Sequence, residues 1–183
     1  MNESAKSLRL ERIKAEAARD YLDRRHPLGA GANFSVGLGV FLDGRLEGVL
    51  TLGGPTSNLA GRALGLEQHE LLEVRKMHLT DRCPRNSESR ALAIMARLVR
   101  RHYPGLKALI TYCDTAETAS AYRAAGWREG KSHRYVREVK VAGRWFSVRN
   151  ANRKGIMDRA SEKRFETRCK WVLPLAAEVA ALV

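Results

Sequence analysis

The sequence predicts a single α/β (α+β) domain in which helices flank a mixed central β-sheet. Its 183 residues, 44% of them hydrophobic, suffice for one core without disulfide or metal support. A hairpin pattern precedes a strand–helix–strand unit, whose right-handed crossover implies parallel neighbouring strands. Strand patterns return near the C-terminus, and the sequence shows neither an internal repeat nor a second hydrophobic core.

The first part of the chain predicts a helix and then a hairpin. Apolar residues at near-helical spacing indicate an amphipathic helix over residues 4–22, which ends before a proline and a glycine-rich stretch. Residues 34–52 have the alternation of a β-hairpin around a two-residue turn at Asp43 and Gly44. Residues 59–69 are compatible with either a loop or a short helix.

The central segment predicts a strand, a basic connector, a helix, a second strand and a short helix. These elements cover residues 71–79, 81–87, 88–102, 108–112 and 118–125. Strict alternation on the first strand would place Lys76 and His78 on the face of Leu72 and Val74. Polar residues then occur on both faces, so this strand is not simply part of the core.

The last third of the chain carries most of the positive charge. The net charge is +13, and residues 123–170 hold 15 Lys and Arg against 5 Asp and Glu. Residues 135–141 and 144–148 are predicted to pair, residues 152–166 to be helical or irregular, and residues 170–175 to form the last strand. Such a charge indicates attraction to a polyanion, although a basic surface kept for solubility would give the same count.

Composition also indicates what to exclude. The sequence has no apolar run of the roughly 20 residues that a membrane-spanning helix needs, and its N-terminus lacks the apolar centre of a signal peptide, so we expect a cytoplasmic protein with no membrane partner. Cys83, Cys113 and Cys169 are far apart and odd in number, which fits reduced thiols, and no His or Cys spacing indicates a metal site. The sequence leaves the oligomeric state open.

The basic connector before the central helix has the ingredients of a phosphate site. Backbone N–H groups at a helix start and the helix dipole favour an anion, and arginine side chains can add donors. The candidate residues are Arg82, Arg85, Asn86, Ser87, Ser89 and Arg90. An ordinary N-cap with solvated arginines would fit the same residues.

Residues 71–127 resemble the core of the GNAT acyltransferase superfamily, whose Tyr-x-x-x-Gly-aromatic pattern matches residues 122–127. In closer detail, several segments are similar to the Mom-type DNA modification proteins of bacteriophages. These segments are residues 72–77, 85–90, 112–114, 122–127 and 169–175. The resemblance covers roughly residues 20–176.

The resemblance implies a single GNAT-like domain over residues 1–183, comprising an N-terminal helix and loop (1–33), a hairpin and acyltransferase-like core (34–127) and a basic C-terminal part (128–176). It implies an enzyme that modifies the N6 amino group of adenine in DNA to a methylcarbamoyl-type group and so protects phage DNA from restriction. DNA is the implied partner, and an acyl-CoA, such as acetyl-CoA, the implied phosphate-containing acyl donor.

Carried over residue by residue, the resemblance places Asp114, Tyr122 and Arg75 at functional positions, Ser87 and Ser89 beside the acyl donor, and Tyr21 with His26 near the substrate. Acyl transfer to an amino group needs a proton acceptor and a donor for the leaving group. Asp114 would be the acceptor, with Glu73 as the alternative base, and Tyr122 the donor. The alternatives are an N-cap role for Asp114, packing for Tyr122, an ion pair for Arg75 and a structural role for His26.

The basic C-terminal part would hold the DNA. A base inside a duplex cannot reach these groups, so the adenine must flip out or lie in a single strand. Arg144 would contact phosphate, and Trp127, Trp145 or Tyr135 would stack on a displaced base. Core packing is the alternative for all three aromatic residues.

Two segments depart from the resembled patterns. Glu88 and Arg90 stand where the GNAT acyl-CoA loop has glycine and glycine or alanine, and residues 115–118 replace a Gly-His of Mom-type proteins. Two other functions therefore remain open. One is a GNAT-like N-acetyltransferase that acts on a protein, tRNA or a small amine, and the other is a non-catalytic nucleic-acid-binding protein on the same scaffold.

Overall fold

The computed structural model describes residues 5–31, 33–113 and 116–181. The strands are β1 (Arg9–Ile13), β2 (Val36–Leu42), β3 (Arg45–Gly53), β4 (Leu71–Leu79), β5 (Ala108–Cys113), β6 (Arg128–Val141), β7 (Arg144–Ser147) and β8 (Glu162–Pro174). The helices are α1 (Ala15–Arg25), α2 (Ser87–His102), α3 (Ala116–Ala124), α4 (Val148–Arg153) and α5 (Ala177–Ala180). Short 3-10 helices occur at Ala5–Ser7, Arg62–Leu64, Gln68–Glu70 and Met157–Arg159.

All eight strands belong to one sheet in the order β1-β2-β3-β4-β5-β8-β6-β7. The pairing of β4 with β5 is parallel and the other pairings are antiparallel. This arrangement confirms the predicted mixed sheet with flanking helices. The main core lies between the sheet and the face of α2 that carries Leu92, Met95 and Val99, while α1 packs on the opposite face. None of the helices in the described part of the chain is long and apolar enough to cross a membrane.

The predicted hairpin is confirmed as β2 and β3. Asp43 and Gly44 both have positive φ angles, of 48° and 79°, as a two-residue turn between twisted antiparallel strands requires. The strand–helix–strand unit of β4, α2 and β5 and the short helix α3 also lie close to their predicted positions.

The predicted N-terminal helix over residues 4–22 is wrong in its first half. Residues 9–13 form β1, which pairs antiparallel with β2, and α1 begins only at Ala15. Gly37 and Gly39 on β2 leave room for Ile13, because a Cβ atom at Gly39 would lie 3.0 Å from the Ile13 side chain. This segment forms a strand despite its helical spacing, because the unpaired edge of β2 supplies backbone hydrogen-bond partners.

A β-bulge at Arg75 changes the faces of β4. Thr51 pairs with Lys76 and Leu52 pairs with Val74, so Arg75 has no opposite residue on β3. The extra residue reverses the alternation. Met77 therefore packs on the main core together with Val74, whereas Lys76 lies on the face of Glu73. The prediction that Lys76 and His78 share a face with Leu72 and Val74 is wrong for this reason.

The strands β4 and β5 separate beyond their first residues. Their ladder pairs only Leu71 to Glu73 with Ala108 to Ile110, and both strands continue past it. Parallel strands that part in this way leave their carboxyl-terminal halves without a shared ladder. A cleft opens between them.

The C-terminal part contains more strand than predicted. β6 begins at Arg128, and β8 begins at Glu162, inside the segment predicted as helical or irregular. The pairing of β5 with β8 ends at Cys113 and Cys169, so the earlier residues of β8 pair with β6 alone. Residues 131–168 thus form a projection beyond β5, which we call the basic arm. Most residues of its β6 and β8 segments are exposed, so these segments lack the apolar alternation that marks a strand in sequence.

Candidate functional site

The cleft between β4 and β5 has a volume of about 720 Å³. It lies at the carboxyl ends of two parallel strands, where α/β sheets commonly bind ligands. Its walls comprise His26, Pro27, Leu28, Thr56, Ser57, Glu73, Val74, Arg75, Lys76, Met77, Thr111, Tyr112, Cys113, Tyr122, His133, Tyr135 and Arg168. The structure therefore brings together five sequence-predicted residues: His26, Glu73, Arg75, Tyr122 and Tyr135.

Glu73 and Arg75 are joined through Thr56, which follows β3. The Thr56 backbone N–H donates to Glu73 Oε2 at 2.7 Å, and its hydroxyl donates to Glu73 Oε1 at 2.8 Å. The Arg75 guanidinium donates to Thr56 Oγ1 at 2.8 Å and to the Gly54 carbonyl, and Arg75 Nε lies 3.8 Å from Glu73 Oε1. These bonds fix a buried carboxylate at one wall of the cleft and hold the chain after β3 against β4.

Tyr122 is 4% exposed, and its ring packs edge-on against Trp127 at 5.3 Å and stacks on Trp171 at 6.2 Å. Its hydroxyl forms a hydrogen bond with Thr111, whose own hydroxyl donates to the Val74 carbonyl at 3.0 Å. Burial raises the pKa of the Tyr122 phenol. The phenol therefore keeps its proton at neutral pH and has a fixed position at the cleft wall.

Asp114, the predicted proton acceptor, lies outside the described residues. It follows Cys113, the last residue of β5, whose side chain lines the cleft. Its role stays a prediction.

Tyr21 and His26 meet at His78 on β4. The Tyr21 hydroxyl donates to the Glu47 carbonyl at 3.0 Å and lies 3.3 Å from His78 Nδ1, and the ring centroids of His26 and His78 are 6.3 Å apart. Burial raises the pKa of Tyr21 to about 12. Burial also lowers the pKa of both histidines, helped by Lys76 at His26 and by Arg25 at His78. Neutral imidazoles are thus favoured here.

A second cavity, of about 550 Å³, lies where α2 begins. Arg85, Asn86, Glu88 and Ser89 line one side, and α3 closes the other through Ala121 and its neighbours. Asn86 has a left-handed backbone and makes no side-chain cap to the helix, so the helix start is not an ordinary asparagine N-cap. Of the predicted phosphate-site residues, Arg85, Asn86 and Ser89 face this cavity.

The other predicted phosphate-site residues do not line this cavity. Ser87 is fully buried, and its hydroxyl donates to the Pro84 carbonyl at 2.7 Å. Arg90 donates to the Lys6 carbonyl at 3.1 Å, and Arg82 reaches Glu47 at 3.7 Å. The predicted contact of Ser87 with a cofactor is therefore wrong, because its hydroxyl is buried and bonded within the loop. Arg82 is mostly exposed, and Arg90 lines an adjoining open cavity together with Arg85, so their contacts with a cofactor stay predictions.

The cavity at α2 combines donors for an anion with one acidic side chain. Arg90, at one of the two glycine positions, turns toward Lys6 and leaves the cavity open. Glu88, at the other, lines the cavity with a negative charge. The Arg85 guanidinium and the backbone N–H groups at the start of α2 favour a bound anion. The Glu88 carboxylate disfavours a second negative charge nearby.

The basic arm borders the cleft on its other side. Tyr135 and Arg168 line the cleft, and the guanidinium lies 4.4 Å from the ring centroid. Farther along the same face, Arg164 lies 3.9 Å above Trp145, and Arg144 is exposed at the start of β7. Guanidinium groups over aromatic rings form a strip that leads from the cleft to the end of the arm.

Trp127 does not belong to this strip. It is 3% exposed and packs in the main core against Tyr122. Because its faces are covered, the predicted stacking of Trp127 on a base is wrong, and Trp127 supports Tyr122 instead.

Thr56 and Tyr112 line the cleft, and Lys170 lines an adjoining cavity, although the sequence identified none of the three. Thr56 gives no signal, because its partners lie 17 and 19 residues away across a chain reversal. Lys170 carried a signal, since it is a lysine beside the apolar run of β8. The described residues contain no group of three or more His, Cys, Asp or Glu that could hold a metal ion.

Comparisons with known proteins agree with this geometry. The model of the Mom protein family matches residues 7–173. The methylcarbamoylase mom of Escherichia phage Mu is 29% identical over 171 residues, which is 87% of this chain and 70% of that protein.

Solved structures of acetyltransferases share the fold. A Bacillus subtilis acetyltransferase in complex with CoA has a TM-score of 0.54 and 10% identity, covering 92% of this chain and 99% of that one. The polyamine N-acetyltransferase of Drosophila melanogaster has a TM-score of 0.53 and 14% identity, covering 89% of this chain and 83% of that one. Identities this low establish the fold alone.

Proposed function

This chain belongs to the Mom protein family, and on that premise we propose that it is a DNA modification enzyme that transfers an acyl-type group to the N6 amino group of adenine. The product would be a methylcarbamoyl-type adenine that restriction enzymes of the host do not cut. One observation carries the proposal: the cleft between β4 and β5 has a phosphate-type cavity at the start of α2 near one end and the basic arm at the other.

The cavity at α2 is the proposed donor side. Arg85 would bind a phosphate of the acyl donor, with backbone N–H groups of the first turn of α2 adding donors. An acyl-CoA that already carries the methylcarbamoyl group would supply, when bound, a carbonyl carbon activated by a thioester bond, and CoA thiol would leave. The side chain of Ser89 faces this cavity, although its hydroxyl already donates to the Asn86 carbonyl at 3.0 Å.

Proton transfer is the proposed task of the cleft. The exocyclic amino group must lose a proton as its nitrogen forms the new bond, and a leaving sulfur must gain one. Tyr122 is the proposed proton donor because its buried phenol stays protonated at neutral pH. Asp114 is the proposed proton acceptor, and Glu73 is the alternative because its carboxylate reaches the cleft.

DNA binding is the proposed task of the basic arm. Its guanidinium groups would neutralise phosphates, which is the main source of affinity for nucleic acids. Trp145 and Tyr135 offer rings near the strand path, and stacking on such rings tolerates any base sequence. The target adenine would leave the duplex, since the cleft lies in the sheet and does not admit a paired base.

The proposal is tested by expressing the chain in a bacterium and digesting the host DNA to nucleosides for mass spectrometry. We expect a modified deoxyadenosine whose mass exceeds that of deoxyadenosine by the added group. Arg85→Gln should lower its amount, and Arg101→Gln on the exposed side of α2 is the matched control. Unmodified nucleosides in the presence of soluble protein would contradict the proposal.

The same experiment separates the two alternatives. Saturable binding of acetyl-CoA with acetylation of amines and no affinity for DNA would identify an N-acetyltransferase. DNA binding without any modified nucleoside would identify a non-catalytic binding protein, a reading that Glu88 at the donor cavity favours.

A further inference from the structure

A third cavity, of about 600 Å³, adjoins the cleft and is used by none of the roles assigned above. It shares Ser57, Tyr112 and His133 with the cleft, so the two spaces have a common wall. Its remaining walls are Leu59, Ala60, Ala63, Leu64, Glu129, Gly130, Lys131, Lys170 and Val172. We call this cavity the Lys170 pocket.

Lys170 is the buried charged group of this pocket. It lies directly opposite Tyr112 in the ladder of β5 and β8, and its residue is 9% exposed. Its Nζ donates to the Ala60 carbonyl at 2.5 Å. No carboxylate among residues 5–31, 33–113 and 116–181 forms an ion pair with it. Burial lowers its pKa, as expected for an amine that is largely withdrawn from water.

A buried amine at a cavity wall calls for an explanation. Buried polar groups are costly unless they are hydrogen-bonded, and Ala60 takes one of the N–H bonds of Lys170. An amino group in either protonation state carries at least two N–H bonds. Lys170 therefore keeps a donor that a ligand in the pocket can accept.

The pocket combines apolar walls with a charged rim. Leu64, Val172 and the ring of Tyr112 form its inner surface, and its volume is in the usual range for small ligands, roughly 300–1,000 Å³. Lys131 and His133 are exposed at the mouth, where β6 leads into the basic arm. An uncharged planar group inside and a phosphate at the mouth match this distribution.

Gly130 keeps the β6 side of the pocket open. The ladder of β6 and β8 is irregular between Glu129 and Ser132, and Gly130 lies there. A Cβ atom at Gly130 would lie 3.1 Å from the Lys170 carbonyl oxygen. A side chain at this position would push the two strands apart beside the lysine.

We propose that the Lys170 pocket receives the everted target base of DNA, and that Lys170 donates a hydrogen bond to a ring nitrogen of this base. The inference rests on the proposed DNA modification. Because the pocket and the cleft share Tyr112 and His133, a base seated against Lys170 has its other edge at the cleft. The cavity at α2, the cleft and the Lys170 pocket then follow one another across the sheet. Lys170 contributes to the choice of base and takes no part in proton transfer.

The first test needs no catalysis and uses the full chain. Lysines are methylated with formaldehyde and a borohydride reductant, and the rate at each lysine is followed by peptide mass spectrometry. The probes are a single-stranded oligodeoxyadenylate and an abasic oligonucleotide of equal length. We expect the oligodeoxyadenylate alone to slow methylation of Lys170 about tenfold, whereas both probes slow methylation of Lys163 on the arm. Equal rates at Lys170 with either probe would overturn the inference.

The second test uses variants and the modified nucleoside. Lys170→Met and Ala63→Trp, which fills the pocket from an exposed position, should each lower the modified deoxyadenosine about tenfold or more, as expected for loss of a buried hydrogen bond or of the base site. Affinity for DNA should stay within about twofold, since phosphate contacts dominate it. Lys14→Met and Ala17→Trp are the matched controls, because both positions are exposed and line neither the pocket nor the cleft.

The outcomes separate the inference from the function it rests on. Full modification by Lys170→Met and Ala63→Trp would overturn the base pocket and leave the proposed reaction standing. Base-dependent protection of Lys170 in a protein that modifies no DNA would support the pocket and overturn the reaction.

Discussion

At the scale of single residues, burial decides which of the polar groups in the cleft can take part in proton transfer. Tyr122 stays protonated because it is buried, and His26 and His78 stay neutral because burial and neighbouring cations disfavour the imidazolium. Glu73 is held by Thr56 and Arg75. A side chain with the right chemistry in the sequence becomes a site residue only when its partners fix its position.

Tyr122→Phe tests the proposed proton donor. The variant keeps the ring contacts with Trp127 and Trp171 and loses only the hydroxyl. We expect modified deoxyadenosine to fall about 10²-fold or more if the phenol supplies the proton, with a stability loss of about 1 kcal/mol from the lost hydrogen bond. Tyr103→Phe, at an exposed tyrosine, is the control. Unchanged modification would leave Tyr122 with a packing role only.

The histidine pair predicts how stability depends on pH. The pKa values of His26 and His78 are lowered in the folded chain, so the unfolded chain takes up these protons first as the pH falls. The free energy of unfolding should therefore be constant above about pH 6.5 with respect to these groups and decrease below it, until the folded-state pKa values are passed. Urea unfolding at several pH values from roughly 7.5 to 5 would measure this decrease, because that range brackets the ordinary histidine pKa.

His78→Gln should flatten this decrease, because one of the two depressed groups is removed. His102→Gln, near the end of α2, is the matched control. An equally steep decrease in His78→Gln would show that other groups cause the pH dependence.

At the scale of elements, β4 positions the site through its irregularities. The bulge at Arg75 turns Lys76 toward the cleft, and the early separation from β5 opens the cleft itself. On its other edge β4 must stay close to β3, and Gly48 makes this possible because a Cβ atom there would lie 2.7 Å from the His78 carbonyl oxygen. A regular strand would provide neither feature.

Gly48→Ala is expected to destabilise the pairing of β3 with β4. The nearest atom is a backbone oxygen that cannot rotate away, so we expect a loss of about 1–3 kcal/mol in the free energy of unfolding, as for other overpacked sites. Gly105→Ala is the matched control, because no atom lies within 4 Å of a Cβ there. Urea unfolding of both variants is the measurement, and equal stabilities would contradict the close approach.

At the scale of the whole molecule, the charge is distributed unevenly. Most of the net charge of +13 lies in the C-terminal part, and much of it belongs to the basic arm beside the cleft. The arm has its own small apolar cluster, in which Val139, Val141 and Ala151 are buried, and it continues the main sheet through β8. A rigid ladder can hold guanidinium groups at fixed distances from the cleft, which a loose basic tail cannot do.

The salt dependence of DNA binding tests the role of the arm. The double variant Arg164→Gln and Arg168→Gln should reduce the slope of log Kd against log salt for duplex DNA by about 1.8, at ~0.9 for each lost phosphate contact. Arg97→Gln with Arg101→Gln on the exposed face of α2 removes the same charge and should change the slope much less. Fluorescence anisotropy over a salt series is the measurement. Equal slopes for the two double variants would place the DNA elsewhere.

The sequence by itself determined the features that depend on local pattern. Alternation and the turn at Asp43 and Gly44 predicted the hairpin, and helical spacing predicted α2 between two strands. Order and spacing of short motifs indicated the family, because motif residues and the intervals between them are properties of the chain. The same holds for the excess of positive charge in residues 123–170.

Only the tertiary structure decided which residues meet. β1 formed where spacing predicted helix, since an unpaired edge of β2 was available. The bulge at Arg75 reversed the faces of β4. Trp127 is buried in the core and is therefore no longer a candidate for contact with DNA. Thr56 and Lys170 are held at cavity walls by partners 17 and 110 positions away in the chain. Such contacts depend on strand pairing and burial between distant segments, and no periodicity within one segment records them.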